Sequence, residues 1–118
     1  MPQITVDHPV SLTGAFDRTG FALALHAVVV DLANARIEAC KTRFRPTEDN
    51  VVGGDGEGHD IVHVGLALLP GRSEETKARL TEAVLELVRA HVRPAPGRGL
   101  HVSAEVRELD ASYRKSEE

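Results

Sequence analysis

Pro2 stands at the head of a strand pattern, and its nitrogen is a candidate catalytic base. In the opening MPQITVDH, Ile4 and Val6 alternate with polar residues, which predicts a half-buried strand. If Met1 is removed, Pro2 carries a free secondary amine. The pKa of an α-amino group is about 7.7–8.0, and burial or nearby cations lower it towards the range of an effective general base. Many chains begin Met-Pro without any catalytic purpose, so the motif alone leaves both interpretations open.

Three cationic side chains in CKTRFR are a second candidate feature. Lys41, Arg43 and Arg45 share one face of a strand, because residues two apart point the same way. Such a face could bind a substrate that carries carboxylates, with arginine supplying a forked pair of donors. An edge strand protected by charge gives the same pattern. The cluster is informative because the chain as a whole is acidic, with a net charge of -4.

Arg72, in LLPGRS, precedes a predicted helix N-terminus. The amides of that terminus and the guanidinium together would make an anion site. Arginine is common in turns, so this feature gains weight only beside the others.

The histidines do not predict a metal site. His59 and His63 have a spacing that suits a helix, but their segment is predicted as a strand, where four residues span about 13 Å. Cys40 is the only cysteine, and no other cluster of metal ligands accompanies it. The glycine-rich GGDGEG precedes a strand and lacks the lysine of a phosphate-binding loop. We therefore expect no metal and no cofactor.

Composition and charge argue against several classes of function. The chain has 118 residues, three Phe, one Tyr and no Trp. Its negative charge argues against attraction to nucleic acid or to an anionic membrane, and the scarcity of aromatic residues removes the usual platforms for base stacking. We find no secretory signal and no apolar run long enough to span a membrane. The lone Cys40 excludes an intramolecular disulfide, and we expect a cytoplasmic protein.

The predicted elements run strand, helix, strand, loop, then strand, helix, strand. They are a strand at Ile4–Val6, a helix over 21–35, a strand over 36–45 closed by Pro46, a loop over 46–60, a strand over 61–69, a helix between its cap Ser73 and Pro94, and a strand over 100–109. Asp17 or Thr19 could cap the first helix. The tail 110–118 is expected to be frayed or dependent on a partner.

This order predicts one domain, 1–118, of the α+β class, with βαβ units at about 2–46 and 60–110. Right-handed crossovers make each pair of strands parallel and place both helices on one face of a four-stranded sheet. The other face then needs cover, which we expect from another subunit. A ferredoxin-like split βαβ domain fits the same element order.

Three features together point to a known family: a proline after the initiator, two βαβ units, and the run HDIVHVGLALLPGRSEETKARLTEAVLELV, which continues through HVSAEVREL. With them the chain resembles the 5-carboxymethyl-2-hydroxymuconate delta-isomerase family of the tautomerase superfamily. The likeness covers nearly the whole chain, more closely from about His59 onward. The GRS turn and SAEVREL are its most specific parts, whereas the proline is shared by the whole superfamily.

The resemblance implies a cofactor-free homotrimer, with the sheets facing inward around a barrel, that acts in the breakdown of aromatic compounds. It implies that Pro2 is the base that moves a proton between carbons of a 2-hydroxymuconate-type acid, giving the conjugated ketone. Cationic residues at Lys41 and Arg43 would hold the substrate's carboxylates and polarise its 2-oxygen. Arg72 matches the arginine of the family's GRS turn and is expected to bind substrate as well.

Two departures from the family pattern bear on the substrate. Lys41 stands where the family usually has arginine, so the charge is kept and the forked donor pair is lost. Ala104 replaces an aromatic residue of the last strand. We expect a tautomerase that acts on an unsaturated 2-hydroxy or 2-oxo dicarboxylate such as 5-carboxymethyl-2-hydroxymuconate. The alternative is a non-catalytic trimeric module that binds a ligand or a partner.

Overall fold

A computed structural model describes residues 1–54 and 56–118. The element order is the predicted one. The strands and helices are β1 (Gln3–Pro9), α1 (Arg18–Ala33), β2 (Lys41–Thr47), β3 (His59–Leu68), α2 (Glu74–His91) and β4 (Gly99–Glu108), with short 3₁₀ helices at Val10–Ala15 and Ile37–Ala39. The predicted loop over 46–60 includes Asp55, which lies outside the described residues.

The four strands form one sheet in the order β2-β1-β3-β4. β1 is parallel to β2, with Gln3 opposite Lys41, and β3 is parallel to β4, with His63 opposite Ser103. The two pairs are joined by the antiparallel contact of β1 with β3. Each predicted βαβ unit is therefore confirmed as a directly paired set of parallel strands. A split βαβ domain, in which another strand separates the two, is excluded.

Both helices cover the same face of the sheet. The helices bury residues at helical spacing, and the strands bury every second residue against them. The fully buried residues of this core include Ile4 and Val6 of β1, Phe21, Leu25 and Val29 of α1, Val62, Val64 and Leu66 of β3, and Leu80, Val84 and Val88 of α2.

Each helix begins at a side-chain cap that the sequence predicts. The Asp17 carboxylate accepts a hydrogen bond from the Gly20 amide at 3.1 Å, which selects Asp17 as the cap of α1. The Ser73 hydroxyl accepts from the Thr76 amide at 3.1 Å at the start of α2. Each cap satisfies a backbone donor that the first helical turn leaves unpaired.

The predicted second strand is wrong at both ends. Its first residues form the 3₁₀ helix Ile37–Ala39, because β1 begins at Gln3, whose partner is Lys41, and earlier residues have no strand beside them. Pro46 does not close the strand, which continues to Thr47. A proline is accepted there because β2 lies at the edge of the sheet.

The second face of the sheet, here called the open face, is polar. In the described chain no helix lies over it. It is lined by Gln3, Thr5 and Asp7 of β1, Lys41, Arg43 and Arg45 of β2, His63, Gly65 and Ala67 of β3, and Ser103, Glu105 and Arg107 of β4. None of the described helices is long and apolar enough to cross a membrane.

The assignment of the core face predicts a sharp contrast within α1. Leu25 is fully buried and Leu23 is 64% exposed. Replacing Leu25 with alanine should lower the free energy of unfolding by about 2–5 kcal/mol, because a buried cavity forms. Replacing Leu23 with alanine should change it by less than about 0.5 kcal/mol. Urea denaturation of both variants tests this, and equal losses would contradict the assignment.

Candidate active site

Pro2 is buried immediately before β1, and β2 fixes its position. The backbone N–H of Lys41 donates to the Pro2 carbonyl at 3.2 Å, where the parallel pairing of β1 and β2 begins. The chain start is thus held by a backbone hydrogen bond. Any group on the first two residues lies next to the first residues of β2.

The amine at the chain start is partly buried and lies near several cationic side chains. Burial is the main cause that lowers the pKa of the Met1 amine from its ordinary value, and the charges of Arg72, Lys115 and Lys41 lower it further. Cys40 acts in the opposite direction. Burial and positive charge both favour the neutral amine, which is the form that can accept a proton.

Lys41 is engaged by the C-terminal tail. Its ammonium lies 3.4 Å from a carboxylate oxygen of Glu117 and 3.5 Å from the Ala39 carbonyl. The same Glu117 oxygen lies 3.3 Å from the ammonium of Lys115. A carboxylate therefore sits between two lysines whose charges both reach the chain start.

The tail folds back onto the chain start, whereas the sequence predicts a tail that is frayed or dependent on a partner. The Leu109 amide donates a hydrogen bond to the Leu68 carbonyl at 2.7 Å, so the chain stays attached to β3 for one residue beyond β4. Further along, the side-chain amide of Gln3 donates to the Tyr113 hydroxyl at 3.1 Å. The tail is thereby anchored one residue after Pro2.

Arg43 and Arg45 point to the open face but differ in their partners. Arg43 donates to the Gln3 side-chain oxygen at 2.8 Å and to the Thr5 hydroxyl at 3.3 Å, and both partners are neutral. Arg45 forms a bidentate ion pair with Asp7, at 2.7 and 3.1 Å, which raises the pKa of Arg45 by hydrogen bonding and charge attraction. Arg43 is therefore oriented without being neutralised, and it is the better anion-binding group of the two.

Arg43 borders a shallow cavity of about 280 Å³ on the open face. Gly65 lies in its floor, where even a Cβ atom would meet no described neighbour within 4 Å. Across the floor, Glu105 and Arg107 of β4 form the opposite wall. Among the described lining residues, Arg43 and Arg45 belong to the predicted cationic face. Pro2 is not a lining residue, but its neighbour Gln3 is.

Arg72 is held by backbone carbonyls at the end of α1. Its Nε and Nη2 atoms donate to the Ala33 carbonyl at 3.1 and 2.7 Å, and Nη1 donates to the Leu69 carbonyl at 3.0 Å. The guanidinium thus satisfies an unpaired carbonyl at the helix C-terminus, where positive charge is favoured. Its charge also reaches the Met1 amine. The structure therefore brings Lys41 and Arg72 to the chain start and places Arg43 further along β2.

A comparison with models of protein families settles the relationship. The model described as 5-carboxymethyl-2-hydroxymuconate isomerase matches residues 2–117. The chain belongs to this family. It is accordingly a cofactor-independent isomerase of the tautomerase superfamily. A comparison with curated proteins found no match.

Several solved structures share the fold of this chain. A 5-carboxymethyl-2-hydroxymuconate isomerase from Deinococcus radiodurans R1 is 20% identical, with 98% of this chain and 90% of that chain covered and a TM-score of 0.79. A 5-carboxymethyl-2-hydroxymuconate delta-isomerase is 14% identical, with 100% and 89% covered and a TM-score of 0.78. A protein described as a W0 fused 4-OT wild-type symmetric trimer is 14% identical, with 98% and 93% covered and a TM-score of 0.76.

The two histidines of β3, His59 and His63, contact residues of β4. His59 Nδ1 lies 3.0 Å from His101 Nε2, and His63 Nδ1 lies 2.6 Å from the Ser103 hydroxyl. His59 and His63 therefore do not converge on one point. Within 1–54 and 56–118, no group of three or more metal-ligating side chains comes together. Ala104 packs on the core side of the sheet, so this departure from the family pattern affects packing and leaves the open face unchanged.

Sequence reasoning missed the contribution of the tail. Tyr113, Lys115 and Glu117 reach the chain start because the edge strand β4 ends at the same end of the sheet at which β1 and β2 begin. The tail then crosses from β4 to β1 and β2. No local pattern shows that crossing. The available signal was composition, since a short charged tail carries the only tyrosine of the chain.

The environment of the amine leads to a prediction about its titration. Met1 is the only methionine, so ¹³C-labelled methionine reports on this residue alone. In the Met1-retaining protein we expect a pKa below the ordinary value of 8.0, by burial first and by Arg72, Lys115 and Lys41 next. Replacing Lys115 with glutamine should raise the pKa, because one of the cations is removed. Lys77→Gln is the matched control, since Lys77 pairs with Glu74 and Glu108 on α2 and β4. A pKa that moves equally in both variants would contradict this account.

Proposed function

We propose that this isomerase moves a proton between carbons of an unsaturated 2-hydroxy or 2-oxo dicarboxylate, such as 5-carboxymethyl-2-hydroxymuconate, with the amine of Pro2 as general base. The observation that carries the proposal is the chain start itself, where Pro2 is buried and the partly buried Met1 amine lies within reach of the charges of Arg72, Lys115 and Lys41. Once Met1 is removed, the secondary amine of Pro2 occupies that environment. Burial and three cations act on it in the same direction as they act on Met1.

The proton transfer needs the neutral amine. A lowered pKa keeps the amine neutral at lower pH, so activity is lost only as the pH falls through that lowered value. The neutral amine takes the proton from one position of the substrate, and the charge spreads over the conjugated system onto the 2-oxygen. The protonated amine then delivers the proton at another carbon, so the base is regenerated and no other reactant is needed.

Cationic side chains stabilise the charge that the transfer creates. We assign the carboxylates and the 2-oxygen of the substrate to Lys41 and Arg43, with Arg43 favoured by its neutral partners and its place at the cavity. Three nitrogens of Arg72 already donate hydrogen bonds to backbone carbonyls. Its proposed contribution is therefore mainly its charge beside the amine.

We propose that the protein works as a homotrimer. The chain shares its fold with a protein described as a symmetric trimer, and its open face is a polar surface of four strands that other subunits could enclose. Enclosure would strengthen the electrostatic interactions of Arg43, because water would be displaced from the cavity. Residues of a neighbouring subunit would then complete the site.

Removal of Met1 is the decisive experiment. With Met1 attached, the Pro2 nitrogen is an amide and has no useful basicity. The Met1-retaining form should therefore isomerise 2-hydroxymuconate about 10²- to 10⁴-fold more slowly than the processed form. Intact mass separates the two preparations, and ultraviolet absorbance follows the change in conjugation. Equal rates in the two forms would rule out Pro2 as the base.

Arg43 and Arg45 lie on the same face of β2, so substitutions of the two test whether Arg43 binds the substrate. Arg43→Gln should lower kcat/KM by about 10- to 100-fold, which corresponds to the loss of one hydrogen bond to a charged group. Arg45→Gln should lower it by less than about threefold, because Asp7 already neutralises Arg45. Steady-state kinetics of the processed protein tests the contrast. Equal losses in the two variants would remove the assignment of Arg43.

A further inference from the structure

The chain start already binds a carboxylate, and that carboxylate belongs to the protein. One oxygen of Glu117 lies 3.4 Å from the Lys41 ammonium and 3.3 Å from the Lys115 ammonium. The charges of both lysines also reach the Met1 amine. The carboxylate of Glu117 therefore lies between two lysines, and the charge of each lysine also acts on the Met1 amine.

We propose that Lys41 and Lys115 together form a carboxylate subsite, and that Glu117 is its internal occupant, which an acidic ligand displaces. The proposal deepens the proposed function, since it assigns one carboxylate of the dicarboxylate substrate to this subsite and adds Lys115 to the residues that bind it. A flexible ammonium pair suits a carboxylate whose direction of approach varies, whereas the forked donors of Arg43 fix a single geometry.

The ion pairs of Glu117 with Lys41 and Lys115 are weak enough for a ligand to displace them. The side chains of Lys41, Lys115 and Glu117 are 41%, 38% and 59% exposed. Exposed ion pairs of this kind contribute little to stability and are screened by salt. Hydrogen bonds from Lys115 and Lys41 hold the pKa of Glu117 below its usual range, so the internal carboxylate remains charged at neutral pH.

A tether makes this weak contact an effective competitor. The tail is anchored by the hydrogen bond between Gln3 and Tyr113, four residues before Glu117. A group held on a short flexible linker has an effective concentration on the order of millimolar. Glu117 therefore competes with an external carboxylate at concentrations typical of a substrate, and it leaves when the ligand's other groups add binding energy of their own.

Adipate, a saturated six-carbon dicarboxylate that lacks the reactive double bonds, tests the subsite without turnover. Its dissociation constant is measured by NMR titration on proteins with the same N-terminal form, checked by intact mass. Glu117→Gln should bind adipate about two- to fivefold more tightly than the unaltered chain, because the internal competitor is weakened. Glu118→Gln removes the same charge from the same tail, and its partner is Ser116, so it should leave the constant unchanged. Equal effects of the two variants, or no effect of either, would overturn the proposal.

Two further measurements test the parts of the proposal separately. Tyr113 is the only tyrosine and there is no Trp, so tyrosine fluorescence reports on the tail itself. Adipate should change this emission in a saturable way, and binding without any change would overturn displacement. Lys115→Gln should weaken adipate binding about two- to fivefold, and Lys77→Gln should not. Equal constants for these two variants would remove Lys115 from the subsite.

The outcomes distinguish this inference from the proposed function. A processed protein that binds adipate as expected but fails to isomerise dienol acids would retain the subsite and lose the function. A processed protein that isomerises them, while Glu117→Gln behaves like Glu118→Gln, would retain the function and lose the subsite.

Discussion

The parallel pairing of β1 with β2 is the constraint on which the rest of the structure depends. Pairing begins at the first possible position, where Lys41 donates to the carbonyl of Pro2 and Gln3 lies opposite Lys41. Because side chains alternate along a strand, this one register puts Arg43 opposite Thr5 on the open face. A shift by one residue would turn every cation of β2 towards the core. The buried residues of β1 and the apolar side chains of α1 oppose such a shift.

The spacing of apolar residues predicts the strands and helices of the fold. It fails where a neighbouring strand decides the backbone conformation. The alternation around Ile4 and Val6 and the helical spacing of α2 correspond to faces that the fold buries. Residues just before Lys41 alternate in the same way and nevertheless form a 3₁₀ helix, since no strand lies beside them. A strand needs a neighbour to satisfy its backbone groups, and a local pattern carries no information about that neighbour.

The candidate site could be predicted only in part for the same reason. Pro2, Lys41 and Arg43 stay predictions. The proline before β1 and the alternating cations of β2 single them out, and the pairing of β1 with β2 places them on neighbouring parts of the chain. Local sequence does not distinguish Arg43 from Arg45. Their difference comes from β1, which places the neutral Gln3 and Thr5 beside one and the charged Asp7 beside the other. The roles of Lys115 and Glu117 depend on the tail crossing the sheet, which is a contact between the two ends of the chain.

Burial and positive charge at the chain start both lower the pKa of an amine. They have opposite effects on the binding of a carboxylate. Burial penalises every charged form, so it lowers the pKa of the amine and also opposes the entry of an anionic ligand. Cations lower the same pKa and attract the anion. At Met1 burial is the larger cause, and the charges of Arg72, Lys115 and Lys41 act with it. The cations therefore offset the cost that burial imposes on an anionic ligand, while the effect of burial on the amine is kept. The proposed base must work beside carboxylates, so it needs both causes together. This net-acidic chain supplies the positive charge by bringing cations from β2, the turn before α2 and the tail within reach of the chain start.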